Sequence, residues 1–281
     1  MIYFGPAGAS DEVINQKMTK KQQAEYLLKN GLYAYEHPFT FGVRITDKSA
    51  EDLKKLFAGN NIKLSVHAPY YINFASSDDI QIAKSNKYLL DTVLKAIEIG
   101  ADRVIFHPGS LTGQEREIAV QNTINNLRNF IKILDENNIQ NIYICPETMG
   151  KHGQIGTVEE VAKMCEIDSR IIPCIDFGHI NAFTLGGLNS VEKYKEILDL
   201  FINKLNKTEI HIHFSRIEYS PKGEKKHLTL LDESDFGPDY AQMLETIKNY
   251  PANIRIISES SGTQTTDSII MKEYLKNSFN F

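Results

Sequence analysis

Eight short apolar runs recur along the chain, each separated from the next by a stretch long enough to hold a helix, and this alternation limits the architecture more than any other feature. The runs are IYFG (2–5), LYAYEH (32–37), IKLSVHA (62–68), RVIFHPG (103–109), NIYICPE (141–147), IIPCIDFGH (171–179), EIHIHFS (209–215) and IRIISES (254–260). They are rich in Ile, Val, Phe and Tyr, the residues that fit a pleated surface. Several are apolar on both faces, as strands buried in a parallel sheet are.

Between the runs, the spacing predicts amphipathic helices. Residues 83–99 place Leu90, Val93, Leu94 and Ile97 at three- and four-residue intervals, with Gly100 as a stop. Residues 115–137 carry Ile118, Val120, Ile124, Leu127, Ile131 and Leu134 in a similar stripe. Residues 157–167 open on Thr157 with Glu160 three positions later, the pattern of a capping box. Segments 191–205, 238–249 and 265–277 also fit helices.

Eight strands alternating with helices imply a parallel sheet with right-handed crossovers. Eight such units in 281 residues suit a closed ring, so the expected fold is α/β, a single (β/α)8 TIM barrel filling residues 1–281 as one domain. No apolar run approaches the roughly 20 residues needed to span a bilayer. The opening MIYFGPAGASDE lacks the charged and apolar regions of a signal peptide, so a cytoplasmic protein is expected. Cys145 and Cys174 sit inside strand-like runs, and with Cys165 they lack metal-type spacing, so buried free thiols are expected. The net charge of −5 gives no support for nucleic-acid binding. Lys20–Lys21 and the Lys222, Lys225, Lys226 group are small basic patches that fit ordinary solvated surface.

The polar residues at the ends of the runs carry the chemistry. His67 closes the third run, His107 the fourth, Glu147 the fifth, Asp176 and His179 the sixth, His211 the seventh and Glu259 the eighth. In a barrel of this kind the active site is built at the C-terminal mouth. Any one of these residues alone fits a hydrogen-bonded structural role. Seven at the same end of different strands converge on one pocket, where clustered carboxylates need a cation. Mixed imidazole and carboxylate donors suit zinc, with manganese or iron as alternatives. His37 and Glu36 are expected to support the site or to pack. His213 is expected to face away from His211 and is not counted as a ligand; His152, in GKHGQIGT, is expected at the surface. No nucleophilic triad, P-loop or dinucleotide motif is present, which leaves metal-assisted hydrolysis or isomerisation.

The segments VHAPYYINFAS (66–76), FHPGS (106–110), PETMGKHGQIGT (146–157), CIDFGHINA (174–182), HIHFSR (211–216) and SES (258–260) hold these residues. Together, and in this order, they resemble the endonuclease IV family of abasic-site endonucleases over about residues 60–260. The resemblance implies two or three zinc ions at the mouth (manganese as the alternative), no organic cofactor, and a monomer acting on duplex DNA that contains abasic sites. It implies that His67 and His107 hold one zinc, with Glu147 bridging to a second completed by Asp176, His211 and Glu259. His179 and His227 would hold a third. It also implies that Glu147, Asp176 and Glu259 are catalytic, cutting 5′ to the abasic sugar and leaving a 3′-hydroxyl. The family completes its third zinc with an Asp-x-His pair, but here the aspartate's place is Lys225, an ammonium that cannot coordinate. Glu224, one residue away, is the substitute ligand if the loop shifts. Tyr70 and Tyr71 fall where family members wedge residues into the duplex. The family's basic loop after the second strand is not recognisable in EHPFTFGVR, and the opening FGPAG also departs, which marks a divergent branch.

One alternative shares part of this set. Glu147, Asp176, His211 and Glu259 would also serve a one-metal sugar isomerase or epimerase of the xylose isomerase-like barrels. His67, His107, His179 and His227 are the residues such an enzyme does not need.

Overall fold

The computed structural model describes residues 1–278. All eight runs form strands: β1 Ile2–Pro6, β2 Ala34–Pro38, β3 Lys63–His67, β4 Arg103–Phe106, β5 Tyr143–Pro146, β6 Cys174–Asp176, β7 Glu209–Phe214 and β8 Asn253–Ser258. They pair in parallel as two four-stranded sheets, β1-β8-β7-β6 and β2-β3-β4-β5. Isolated parallel bridges join the sheets at both seams, Ala7 to Glu36 on one side and Ile144 to Ile171 and Glu147 to Cys174 on the other. The ring is thereby closed, as the alternation of runs and helices predicts.

Alternate residues of a strand face opposite sides, so the ring has two cores. The larger lies between the strands and the surrounding helices. A small separate cluster of Ile105, Cys145, Ile172 and Cys174 lies on the lumenal side. The same parity carries the lumenal set to Arg103 and Arg255 at one end and to His107, Glu147 and Asp176 at the other. All three cysteines are buried and free.

The helices follow the expected segments, with one rotated stripe. Asp79–Ile99 buries Leu89, Val93, Ala96 and Ile99, while Leu94 and Ile97 are exposed. Two overlapping three- and four-residue series run through this segment. The one that contains the small residues Thr92 and Ala96 allows the closer approach to the strands. In Arg116–Glu136, Leu127, Ile131 and Leu134 are buried as expected, whereas Ile118 is exposed. Val158–Cys165 opens with the capping box read from the sequence: Thr157 Oγ1 accepts from the Glu160 amide and Glu160 accepts from that of Thr157. The segment 191–205 is helical over Val191–Leu198 and continues as a π-turn over Asp199–Lys204. Tyr240–Ile247 and Gln264–Ser278 complete the outer layer. Among the described residues no helix is long and apolar enough to cross a membrane.

Two departures shape the mouth. The sixth run is a strand only to Asp176, after which the chain turns into the short helix Phe177–Phe183. After β7 the chain forms an antiparallel hairpin, Arg216–Ser220 against Gly223–Leu228.

Candidate metal centre

Glu147, at the end of β5, is fully buried and lies at the centre of the mouth. His67 Nε2 and His107 Nε2 each lie 3.1 Å from its Oε2. On the other side, His213 Nδ1 is 3.0 Å and His179 Nδ1 3.4 Å from its Oε1. His213 Nδ1 also lies 3.4 Å from Glu259 Oε1, and His179 Nδ1 3.3 Å from Asp176 Oδ2. Farther out, Glu224 Oε2 is 3.5 Å from His179 Nε2, and its Oε1 is 3.9 Å from His227 Nε2.

Local structure aims these groups. Asp176 caps the helix Phe177–Phe183, its Oδ1 accepting from the His179 amide at 2.8 Å, and this first turn presents His179 to the mouth. His179 therefore sits on a helix rather than on the sixth strand. The backbone carbonyls of Ala68 and Thr148 hold Nδ1 of His67 and His179 at 2.9 and 3.0 Å. These contacts fix each ring, as partners behind metal-ligating histidines do.

At the mouth, the potential ligand atoms fall into three groups, each mutually within 4.8 Å: His67, His107 and Glu147; Glu147, Asp176, His213 and Glu259; His179, Glu224 and His227. They open on a cleft of about 450 Å³, lined also by Tyr70, Met149, Lys151 and Gln154. Zinc held at about 2.0–2.1 Å by each donor sets neighbouring donors about 3.4 Å apart, close to most of the separations found here. Asp176 Oδ2 is buried without a hydrogen-bond partner. Converging carboxylates and an orphaned buried oxygen fit a cation set.

The electrostatics agree. Burial opposes ionisation of Glu147, but His213 and His107 beside it hold its carboxyl well below the usual range. Burial raises the pKa of Glu259, with the charge of Glu147 adding to it against His213. Burial disfavours charge on His67, yet its contact with Glu147 lifts it to about 9. For His107 burial wins and the pKa falls.

Several sequence expectations change. His213 does not face away from His211: residues two apart on a strand share a face, and both rings point into the lumen with centroids 5.1 Å apart. His213 stands with Glu147, Asp176 and Glu259, where His211 was expected. His211 lies deeper, its Nε2 3.0 Å from Glu36 Oε2. Glu36 is itself fully enclosed and accepts from Ser65 Oγ at 2.9 Å. His37 takes the opposite parity and faces away from the lumen; burial, then the charge of Lys20, lowers its pKa to about 4. His152 is exposed, with Nε2 against the Phe183 carbonyl at 2.9 Å.

The substitution at position 225 has a structural answer. In the hairpin, Glu218 pairs with Lys226 and Tyr219 with Glu224, so Lys225 is an extra, bulged residue. A bulge breaks the alternation and re-aims the side chains beyond it. Glu224 thus shares the face of His227, and Lys225 turns outward onto Glu218. Tyr70 and Tyr71 are both exposed at the rim. Tyr70 stacks on His107 (centroids 5.0 Å, planes 20° apart), whereas Tyr71 leans on Tyr88.

A family profile described as xylose isomerase-like TIM barrel matches residues 24–275. An uncharacterized protein of Methanocaldococcus jannaschii is 33% identical over 98% of this chain and 97% of its own length. A probable endonuclease 4 of Acholeplasma laidlawii is 30% identical over 54% of this chain, which spans 53% of that relative. Among solved structures, endonuclease IV of Thermus thermophilus superposes with a TM-score of 0.69 at 16% identity, covering 98% of this chain and 99% of that one. A D-tagatose 3-epimerase-like protein does so with 0.70 at 21% identity, covering 99% and 97%.

Proposed function

The chain belongs to the xylose isomerase-like TIM barrel family, and within it we propose that it is a zinc-dependent phosphodiesterase that cuts duplex DNA 5′ to abasic sites. The observation that carries this reading is the third ligand group, His179, Glu224 and His227, beside the two that share Glu147. A one-metal enzyme has no use for it. The half-length likeness to a probable endonuclease 4 supports the same direction.

In this reading His67, His107 and Glu147 hold one ion, Glu147, Asp176, His213 and Glu259 a second, and His179, Glu224 and His227 a third. Bound divalent cations supply an activated water and positive charge for the phosphorus centre. The residues do the rest. Glu259 lines the cleft, placed to orient the attacking water through its carboxylate. Lys151, with Nζ 3.8 Å from Glu224 Oε1, adds a cation to the lining of the cleft that would take the phosphate. Tyr70 offers an exposed ring above His67 and His107 for stacking at the lesion, with Tyr71 beside it. We read residues 1–281 as one domain working as a monomer.

The test is cleavage of an end-labelled duplex with one abasic site. Nicking 5′ to the site with a 3′-hydroxyl terminus is expected, and Glu259→Ala should abolish it with the fold intact. A fully active Glu259→Ala protein, or no nicking by metal-loaded wild type, contradicts the reading. The second reading, a one-metal sugar epimerase, draws on the self-sufficient set Glu147, Asp176, His213 and Glu259 and on the likeness in fold to the epimerase-like structure. Solvent deuterium entering a ketose, without nicking, would favour it.

A further inference from the structure

Beneath the mouth, the lumen holds a second convergence of donors, of which the proposed function uses only His213. Cys174 on β6 is the register partner of His211 on β7. Its sulfur and one nitrogen each of His211 and His213 lie mutually within 4.8 Å. Glu36, from β2 across the lumen, places Oε2 3.0 Å from His211 Nε2 and Oε1 3.0 Å from His213 Nε2. All four residues are enclosed, with at most 1% of their surface exposed. Those distances suit hydrogen bonds, but the directions do not. Both ring nitrogens of His211, Nε2 of His213 and Oε1 of Glu36 lack a hydrogen-bond partner. Unpaired buried polar atoms are costly, and here four of them lie on three neighbouring residues.

We propose that Glu36, Cys174, His211 and His213 hold a further divalent cation inside the lumen, of the zinc class that takes thiolate, imidazole and carboxylate together. The carboxylate and the thiolate offset the dication, the cation itself drawing the proton from the sulfur, and the charge of a shared His213 ring would be divided between this ion and the one above it. His213 has one nitrogen toward each level, Nδ1 toward Glu147 and Nε2 toward Glu36. Serving both levels makes its ring an imidazolate, whose proton leaves to solvent as the ions load. Because all four donors are enclosed, the ion enters as the chain folds and resists chelation afterwards. The site shares His213 with the mouth but does not depend on which substrate the mouth acts on.

The test is X-ray absorption on the full-length zinc-loaded protein after exhaustive chelation. One retained ion per chain is expected, with a sulfur neighbour at about 2.3 Å. Cys145 and Cys165 belong to no ligand group among the described residues, so that sulfur would be Cys174. Cys174→Ser should lose the retained ion while still rebinding the ions that chelation removes. If that variant fails to fold, the wild-type spectrum decides alone. Only nitrogen and oxygen neighbours in the wild type, or removal of every ion by chelator, overturns the proposal and leaves Glu36 as an orienting carboxylate for the two histidines.

Discussion

The two ends of the lumen carry charged side chains, and they handle them in opposite ways. At the end where the strands begin, Arg103 and Arg255 are almost fully buried, and the chain itself answers them. Arg103 Nη1 donates to the Ile210 carbonyl at 2.9 Å and Nη2 to Glu209. Arg255 Nη1 donates to the Leu64 carbonyl at 2.8 Å and Nη2 to Asp102 Oδ2 at 3.0 Å. At the mouth, carboxylates crowd with imidazoles, and Asp176 Oδ2 is left without a partner. One end pairs its charges with protein groups, leaving Arg103 Nε, Arg255 Nε and Asp102 Oδ1 without a hydrogen bond; the other gathers carboxylates and imidazoles at metal-ligand spacing and opens to a cleft. The difference teaches where the ring spends polar groups on stability and where it reserves them for a cation.

The sharpest way to break this contrast is at the mouth. Glu259→Ala should lower nicking of an abasic duplex by about a thousandfold or more while the circular dichroism spectrum stays that of the wild type. Unfolding of this variant would show that the mouth serves stability after all.

Next in size is the third ligand group. Glu224→Ala should lose one ion per chain by elemental analysis, and Lys225→Ala should lose none, because the bulge turns Lys225 away. Equal losses in the two would refute the re-aiming by the bulge.

At the opposite end the effect should be on stability alone. Arg255→Met preserves volume but orphans the Leu64 carbonyl, at a cost of about 1–3 kcal/mol in denaturant unfolding, with metal content unchanged. A change in metal content would join the two ends that the structure separates.

The smallest effect is a pH dependence. Burial raises the Asp102 pKa, but the charge and hydrogen bond of Arg255 overcome it, so the folded value lies below 3.8. Its contribution is therefore complete above about pH 3.8 and is lost as pH falls through the folded value. Asp102→Asn should flatten this acid slope in melting temperature; an unchanged slope would remove Asp102 from the pairing.

The contrast was only partly legible in the sequence. All eight strands were readable because each is an apolar run bounded by polar segments. The mouth residues were readable because they close those runs. His213 was also within reach, since the two-residue period places it on the face of His211. Glu36 is legible only as a residue that supports the site or packs, because the inward parity of β2 depends on its pairing with β3 and on the bridge to Ala7, which are contacts across the ring. Glu224 is legible as a substitute ligand only on condition of a shift in the loop, since the bulge that supplies that shift is a property of two paired strands and neither carries it alone. His179 falls one element later than the strand pattern predicts, because Asp176 ends a strand and caps a helix at once.

The most direct test of the central claim, a multi-metal mouth, is the number of ions per chain that a chelator removes from protein purified without one. Three removable ions, mainly zinc, are expected, one for each ligand group. A single removable ion would contradict the multi-metal mouth and make the sugar epimerase the better reading.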